Sequence, residues 1–225
     1  MAVAAADVPA ARVVMVAGAT GLVGQAVLAA LSADKRNRDI HVVGRRAPAT
    51  LPAGAQFHVH QVAFAHLPAL PPVDDVYIAL GTTIAVAGSQ AAFRAVDHDA
   101  VLALARQARA AGATRLAVVS AMGADAHSRI FYNRIKGETE HALRQLGYAT
   151  LVIARPSLLV GDRAALAQPT RLGERIGQVG MALFAPLIPA NYRSIAASRV
   201  AAAMVRAVAT GTPGTQVLLS GAMQR

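Results

Sequence analysis

The sequence predicts an α/β fold in which a doubly wound parallel sheet is covered by helices on both faces and carries a small C-terminal cap. The first observation is that short runs rich in β-branched residues alternate with longer helical patterns along the 225-residue chain. The second is that these runs are apolar on both faces, which is typical of buried parallel strands. The third is a composition of 55% apolar and 15% charged residues, which provides a full core and excludes a disordered chain.

The predicted elements alternate from the start of the chain. Strands are predicted over residues 12–17, 40–43, 57–62, 76–80, 116–119, 150–154 and 216–219. Helices are predicted over residues 22–32, 90–111, 129–146, 171–184 and 196–209. Gly112 and Gly147 are expected to end two of these helices, because glycine favours the conformation of a helix C-cap. We expect a loose tail over residues 1–11 and a single domain over 12–225, in which residues 157–195 form the cap.

The composition also excludes several classes of function. The net charge of +10 would suit a nucleic-acid partner, but the basic residues are scattered and the chain has 4% aromatic residues and no tryptophan. No nucleic-acid partner is therefore expected. The absence of cysteine excludes disulfides, zinc–thiolate sites and thiol catalysis. His58 and His60 share one strand face, but no third ligand lies nearby in the sequence, so no metal site is expected.

One apolar stretch has the length of a membrane span. Residues 13–33 carry no charge, but they contain three glycines and change from a strand period to a helix period, which favours a strand–turn–helix. Residues 1–11 lack the basic region of a signal peptide. We therefore expect no membrane association and a cytoplasmic location.

A glycine-rich turn follows the first predicted strand and opens the first helix. It reads Gly18-Ala19-Thr20-Gly21-Leu22-Val23-Gly24. The three glycines would allow a tight turn, a close approach of the backbone to a pyrophosphate and close packing of helix on strand. The backbone N–H groups at the helix start favour an anion. The position of this motif in the first strand–helix–strand unit predicts a Rossmann-like fold that binds a dinucleotide, and a plain structural turn is the alternative.

Two further segments bear on the dinucleotide. The second predicted strand ends at Gly44-Arg45-Arg46, where an NAD enzyme would carry a carboxylate for the adenine ribose. Guanidinium groups suit a 2′-phosphate, so Arg45 and Arg46 predict NADP(H), with two solvated arginines as the alternative. A second glycine turn, Leu80-Gly81-Thr82, follows the fourth predicted strand and should border the cofactor unless it is only structural.

A tyrosine and a lysine four residues apart indicate a catalytic site. Tyr132 and Lys136 share one face of a predicted helix, and a nearby ammonium favours the phenolate form of a tyrosine. Tyr132 is therefore predicted to be the general acid for a carbonyl oxygen that receives hydride. Ser120, at the carboxyl end of the fifth predicted strand, could hydrogen-bond the same oxygen.

Together these motifs resemble the atypical short-chain dehydrogenases/reductases, and most closely the Tat-interacting-protein oxidoreductase group with its bacterial relatives. The resemblance extends over residues 12–220 and includes the two glycine turns, Arg45-Arg46, Ser120, Tyr132, Lys136-Gly137-Glu138 and Arg155-Pro156-Ser157. It implies that NADPH is bound, that Lys136 holds the nicotinamide ribose, and that Pro156 and its neighbours Arg155 and Ser157 line the nicotinamide. The sequence departs from the family at Asp97, where some members carry a catalytic asparagine, and at Ala121, where relatives often carry a second serine.

Three functions are compatible with these residues. The first is an NADPH-dependent oxidoreductase that reduces a small carbonyl compound through Ser120, Tyr132 and Lys136. The second is an NADPH-binding regulatory or scaffold protein with little turnover, which could act through a protein partner or a homodimer. The third is a nucleotide-sugar epimerase or dehydratase, for which the predicted cap is small.

Overall fold

A seven-stranded parallel sheet forms the centre of the computed structural model, which describes residues 11–160 and 189–224 with the side chain of Arg38 left out. In chain order the strands are β1 (Arg12–Ala17), β2 (Asn37–Gly44), β3 (Gln56–Gln61), β4 (Asp75–Ile78), β5 (Arg115–Val119), β6 (Thr150–Arg155), β7 (Leu159–Val160), β8 (Ile195–Ala196) and β9 (Gly214–Leu219). The large sheet has the order β3-β2-β1-β4-β5-β6-β9, and β7 pairs with β8 apart from it. The predicted Rossmann-like doubly wound fold is confirmed.

The helices are α1 (Leu22–Ser32), α2 (Ile84–Ala87), α3 (Gln90–Arg94), α4 (Val101–Ala110), α5 (Phe131–Arg144), α6 (Ala197–Thr210) and α7 (Ser220–Met223). The long helix predicted over residues 90–111 is present, but a π-helical stretch, Ala95–Ala100, joins α3 to α4. The helix predicted over residues 171–184 lies outside the described residues, as does most of the predicted cap. Within the described ranges no helix has both the length and the hydropathy to cross a bilayer.

The two faces of the sheet carry two separate hydrophobic cores. Val14 and Val16 of β1 are fully buried on the face covered by α1 and α6. Met15 and Ala17 alternate with them and are fully buried on the other face, against α4 and the end of α5. Because both faces are covered, the strands are apolar throughout, which is the pattern that predicted a parallel sheet.

Three histidines meet at the β2–β3 edge of the sheet. His41 on β2 lies opposite His58 on β3, and its ring stacks on that of His58 at 4.8 Å. His41 Nδ1 is 2.9 Å from His60 Nε2, and His58 Nε2 is 2.9 Å from Asp39 Oδ1. The sequence analysis did not include His41, because it is the pairing of β2 with β3 that brings His41 next to His58 and His60. Even so, no group of three or more side chains within residues 11–160 and 189–224 is arranged to hold a metal ion.

This histidine cluster should make stability depend on pH. Burial, and then the neighbouring His58 and His60, lower the pKa of His41 below its usual value. The unfolded chain therefore takes up a proton more readily than the folded one, so stability is lost as pH falls below about 6.5. We expect the free energy of unfolding of His41→Gln to fall less steeply between about pH 7 and about pH 5 than that of the wild type.

Urea denaturation at a series of pH values measures this slope. His66→Gln serves as the control, because His66 is exposed and lies outside the cluster. Identical slopes in the wild type and His41→Gln would contradict the prediction.

Candidate functional site

Two glycines of the first turn are required by the packing of the chain itself. Gly18 has a φ of +87°, and a Cβ added to it would lie 2.4 Å from the carbonyl oxygen of Ala79. A Cβ on Gly24 would lie 2.1 Å from the carbonyl oxygen of Gly18. The turn, the first helix and the end of β4 are therefore in direct backbone contact, which only glycine allows.

Gly21 differs from its two neighbours. Its φ is −92°, and an added Cβ would only reach ordinary contact, 3.4 Å from the carbonyl oxygen of Gly18. Gly21 is the N-cap of α1, and no side chain caps this helix. The N–H groups of the first helical turn, including those of Leu22 and Val23, have no acceptor within the helix. Nothing in the described packing requires glycine at this position, and its absent side chain leaves the helix N-terminus open to an anion.

Arg45 and Arg46 directly follow β2, at the edge of the sheet that carries this turn. Val43 of β2 pairs with Ala17 of β1, so both strands end at the same edge. Both arginines are exposed. Neither forms an ion pair with any residue that the structure describes. Two guanidinium groups are thus available at the carboxyl edge of the sheet.

The second glycine turn joins the first turn to the predicted lysine. Gly18 already packs on the backbone of Ala79, two residues before Gly81. A Cβ on Gly81 would lie 3.4 Å from Asp97 Oδ1 and 3.9 Å from Lys136 Nζ. The backbone N–H of Thr82 donates to Asp97 Oδ2 at 2.9 Å. The two turns and Lys136 are therefore joined by a continuous series of contacts.

Lys136 is paired with a buried carboxylate. Its Nζ lies 2.7 Å from Asp97 Oδ1, and the two residues are only 6% and 1% exposed. Removing either charge would leave the other buried without a counter-ion, which is costly. Asp97 belongs to the π-helical stretch, a distortion that is frequent at functional sites. The carboxylate occupies the region where the family resemblance implies an asparagine, and it contacts the lysine directly.

Tyr132 lies in the first turn of α5, one turn before Lys136. Its ring is half-buried and packs on Phe93 with the ring centroids 5.4 Å apart. The position of α5 is set by Gly137, because a Cβ there would lie 2.1 Å from the backbone nitrogen of Ala126. The absence of a side chain at Gly137 thus lets α5 pack directly on the loop that follows β5.

Ser120 donates a hydrogen bond to a side chain that the sequence analysis did not include. The hydroxyl bonds Glu140 Oε1 at 2.6 Å, and Glu140 is 1% exposed. Arg155 donates to the same carboxylate through Nε at 2.8 Å and Nη2 at 2.7 Å, and Arg144 at 3.2 Å. In this arrangement Ser120 offers a ligand only its lone pairs. The roles of Ser120 as orienter and of Arg155 as a cofactor contact stay predictions.

A small cavity separates the two buried ion-pair systems. It has a volume of about 10 Å³, and its polar lining comes from Asp97, Lys136, Ser120, Thr139 and Glu140. That is about the space of one water molecule. The only signal for Glu140 in the sequence is its spacing, since it lies four residues after Lys136 on the same helix.

The segment after β6 is held by two neighbours. The carbonyl of Pro156 accepts from the N–H of Met122 at 3.1 Å. The hydroxyl of Ser157 bonds the carbonyl of Arg193, and its oxygen lies 2.9 Å from Ser220 Oγ. Pro156 and Ser157 therefore lie between the loop after β5 and the C-terminal part of the chain, and their contact with a nicotinamide stays a prediction.

Relatives of the chain were found among fungal proteins, whereas no protein-family model matches it. A protein named "Protein FMP52, mitochondrial" from Eremothecium gossypii is 36% identical over 151 residues, which cover 66% of this chain and 67% of that protein. The chain belongs to the FMP52 family. The Emericella nidulans member, "Protein fmp52, mitochondrial", is 36% identical over 154 residues, which span 65% of this chain and 66% of the relative's length.

Solved structures share the fold of this FMP52-family chain at low sequence identity. A structure described as "MoeE5 in complex with UDP-glucose and NAD" superposes with a TM-score of 0.69 at 16% identity, covering 91% of this chain and 74% of its own. A short-chain type dehydrogenase/reductase from Mycobacterium ulcerans gives a TM-score of 0.66 at 17% identity, covering 96% of this chain and 91% of its own. These likenesses establish a fold of the short-chain dehydrogenase/reductase type. The narrower resemblance to the Tat-interacting-protein group stays a prediction.

The expected cytoplasmic location is wrong on the evidence of these relatives. FMP52 proteins that are 31–36% identical to this chain are named mitochondrial. Composition and the lack of a basic region in residues 1–11 do not distinguish one compartment from another, which is why the sequence alone led to the wrong location.

Proposed function

We propose that this FMP52-family protein is an NADP(H)-dependent oxidoreductase that reduces a small carbonyl substrate. One observation carries the proposal: a continuous series of contacts runs from the first glycine turn through Ala79 and Gly81 to the ammonium of Lys136. It joins a turn suited to a pyrophosphate with a lysine suited to a ribose, which are the two ends of a bound nicotinamide dinucleotide. MoeE5, which shares the fold, is described in complex with NAD.

The residues at this edge fit such a cofactor. Gly21 and the first-turn N–H groups of α1 would hold the pyrophosphate, with Ala19, Thr20, Val23, Leu80 and Thr82 around it. Arg45 and Arg46, exposed and without an ion-pair partner among the described residues, would hold the 2′-phosphate. When bound, the reduced cofactor supplies hydride to the substrate carbon.

Three side chains would handle the proton. The phenolic O–H of Tyr132 would donate to the carbonyl oxygen of the substrate as negative charge develops there. Lys136, one helical turn away, would bind the ribose hydroxyls. Asp97 holds the ammonium of Lys136 in place at 2.7 Å. Asp97 is thus a positioning residue that acts through Lys136.

Titration with NADPH and NADH, followed by fluorescence, tests the cofactor assignment. The wild type should bind NADPH more tightly than NADH. Arg45→Ala/Arg46→Ala should weaken NADPH binding by about 10- to 100-fold, because charge-assisted hydrogen bonds to the phosphate are lost, and should leave NADH binding nearly unchanged.

The matched control is Lys35→Ala, which removes an exposed cation at the amino edge of the sheet. It should leave both affinities unchanged. Equal affinity of the wild type for NADPH and NADH, or no effect of the double substitution, would contradict the assignment to NADP(H).

A second candidate is an NADPH-binding regulatory or scaffold protein with little turnover. It is favoured by the bond between Ser120 and Glu140, which uses the hydroxyl proton that a reductase would direct to its substrate. The resemblance to the Tat-interacting-protein group favours it too, with a protein partner or a second copy as the binding partner. Tight NADPH binding without NADPH oxidation across a broad panel of aldehydes and ketones would support this candidate over the first.

A further inference from the structure

A second and larger cavity, which we name the amino-edge cavity, lies at the opposite edge of the sheet from the proposed cofactor site. It has a volume of about 240 Å³ and is lined by the first residues of β1, β4 and β5, by the C-terminal end of α1 and by α6. A cavity needs about 10 to 15 Å³ to hold one water molecule, so this space is more than ten times that size. It is large enough for a small organic molecule.

The hydroxyl of Tyr77 is available to a ligand in this cavity. Tyr77 of β4 is 2% exposed and contributes to the cavity wall. Among the hydrogen bonds of residues 11–160 and 189–224, none involves its hydroxyl. Burial raises the pKa of Tyr77, so the hydroxyl stays protonated and can donate. A ligand acceptor in the cavity can therefore receive a hydrogen bond from this hydroxyl.

The cavity also has more hydrogen-bond donors than acceptors. Asp75 accepts from Arg12 through Nε and Nη2, both at 2.7 Å, and from Arg115 through Nε at 2.6 Å and Nη2 at 3.2 Å. One carboxylate thus serves two guanidinium groups, each of which carries five N–H bonds. At least half of these N–H bonds remain for a ligand, whereas the acceptors of Asp75 are already in use.

The remaining lining residues decide the charge and shape of the ligand. Asp34 and Arg36 pair with each other, with Nε and Asp34 Oδ1 2.9 Å apart. The lining therefore carries a net charge of +1, from three arginines and two aspartates. Leu31 and Val205 supply an apolar wall.

We infer that the amino-edge cavity binds a small organic monocarboxylate with an apolar body. Its carboxylate accepts hydrogen bonds from Arg12, Arg115 and the hydroxyl of Tyr77, and its charge balances the net positive lining. Its body packs on Leu31 and Val205. Because this cavity and the proposed cofactor site lie at opposite edges of the sheet, both can be occupied at once.

Binding of 4-fluorobenzoate, followed by ¹⁹F NMR, tests the inference on the full chain. We expect the probe to bind the wild type at millimolar concentration or below, equally in the absence and presence of saturating NADPH. Tyr77→Phe should weaken binding by about tenfold, because it removes one hydrogen bond to a charged group and no bond within the described structure. The neutral analogue 4-fluorobenzamide should bind more weakly than the carboxylate.

A filled-cavity variant provides a second measurement. Ala209 of α6 lines the cavity and is exposed, so Ala209→Trp should block the probe while the chain still folds. The inference is overturned if the wild type does not bind the probe, if NADPH displaces it, or if Tyr77→Phe and Ala209→Trp bind as tightly as the wild type.

Discussion

Tyr132→Phe should lower kcat for carbonyl reduction by about 10²- to 10⁴-fold, with the dissociation constant of NADPH unchanged. The substitution removes only the phenolic oxygen, so the ring can still pack on Phe93. The proton that neutralises the developing alkoxide would then have to come from water. Single-turnover measurements at saturating NADPH isolate this chemical step, and a fluorescence titration reports on binding.

Tyr148→Phe is the matched control for this substitution. Tyr148 lies just before β6 at the amino edge of the sheet, and its hydroxyl donates to the carbonyl of Ala105 at 2.7 Å. Losing that bond should cost about 1 kcal/mol of stability and leave turnover unchanged. If Tyr132→Phe retained full turnover of every carbonyl that the wild type reduces, Tyr132 would not be the general acid.

Gly24→Ala should lower the stability of the protein, whereas Gly21→Ala should lower its affinity for the cofactor. A Cβ on Gly24 would lie 2.1 Å from the carbonyl oxygen of Gly18, so the first helix must move away from the turn. We expect a loss of about 3 kcal/mol or more in the free energy of unfolding, at the upper end of the cost of overpacking. A Cβ on Gly21 would meet only an ordinary contact at 3.4 Å, so the fold should be retained.

The second half of this prediction concerns the cofactor. Gly21→Ala places a methyl group where the backbone is expected to approach a pyrophosphate, so NADPH affinity should fall by about tenfold or more although the protein remains folded. Urea denaturation and NADPH titration of both variants measure the two effects. If Gly21→Ala binds NADPH as tightly as the wild type does, the prediction that a pyrophosphate is bound at this turn is contradicted.

The fold was predictable because its determinants are local in the sequence. Val14 to Ala17 form an unbroken apolar run, and such a run needs cover on both faces. The π-helical stretch around Asp97 was not predictable, since the residues of Ala95–Ala100 fit an ordinary helix as well. The extra residue in that turn is compatible with the packing of Asp97 against Lys136, which is a long-range contact.

The candidate site also has a part that was predictable from the sequence and a part that was not. The glycine turn, the Arg45-Arg46 pair and the Tyr132–Lys136 spacing are each contained in a few consecutive residues. The hydroxyl of Ser120, in contrast, donates its hydrogen bond to Glu140, twenty residues further along the chain. The sequence predicts a catalytic role for Ser120 and none for Glu140, because a hydrogen bond between a strand end and a helix depends on how the two elements pack.

By itself the sequence determined the parallel α/β architecture and the residue types at its carboxyl edge, because strand and helix periods and short motifs are set by neighbours along the chain. The tertiary structure alone decided which charges are buried together. The Lys136–Asp97 pair, the Glu140 cluster and the two arginines on Asp75 each join residues from separate elements. These pairs form only when the sheet and its helices bring the residues within a few ångströms of each other. The same packing excludes water, and a charge removed from water needs a counter-ion.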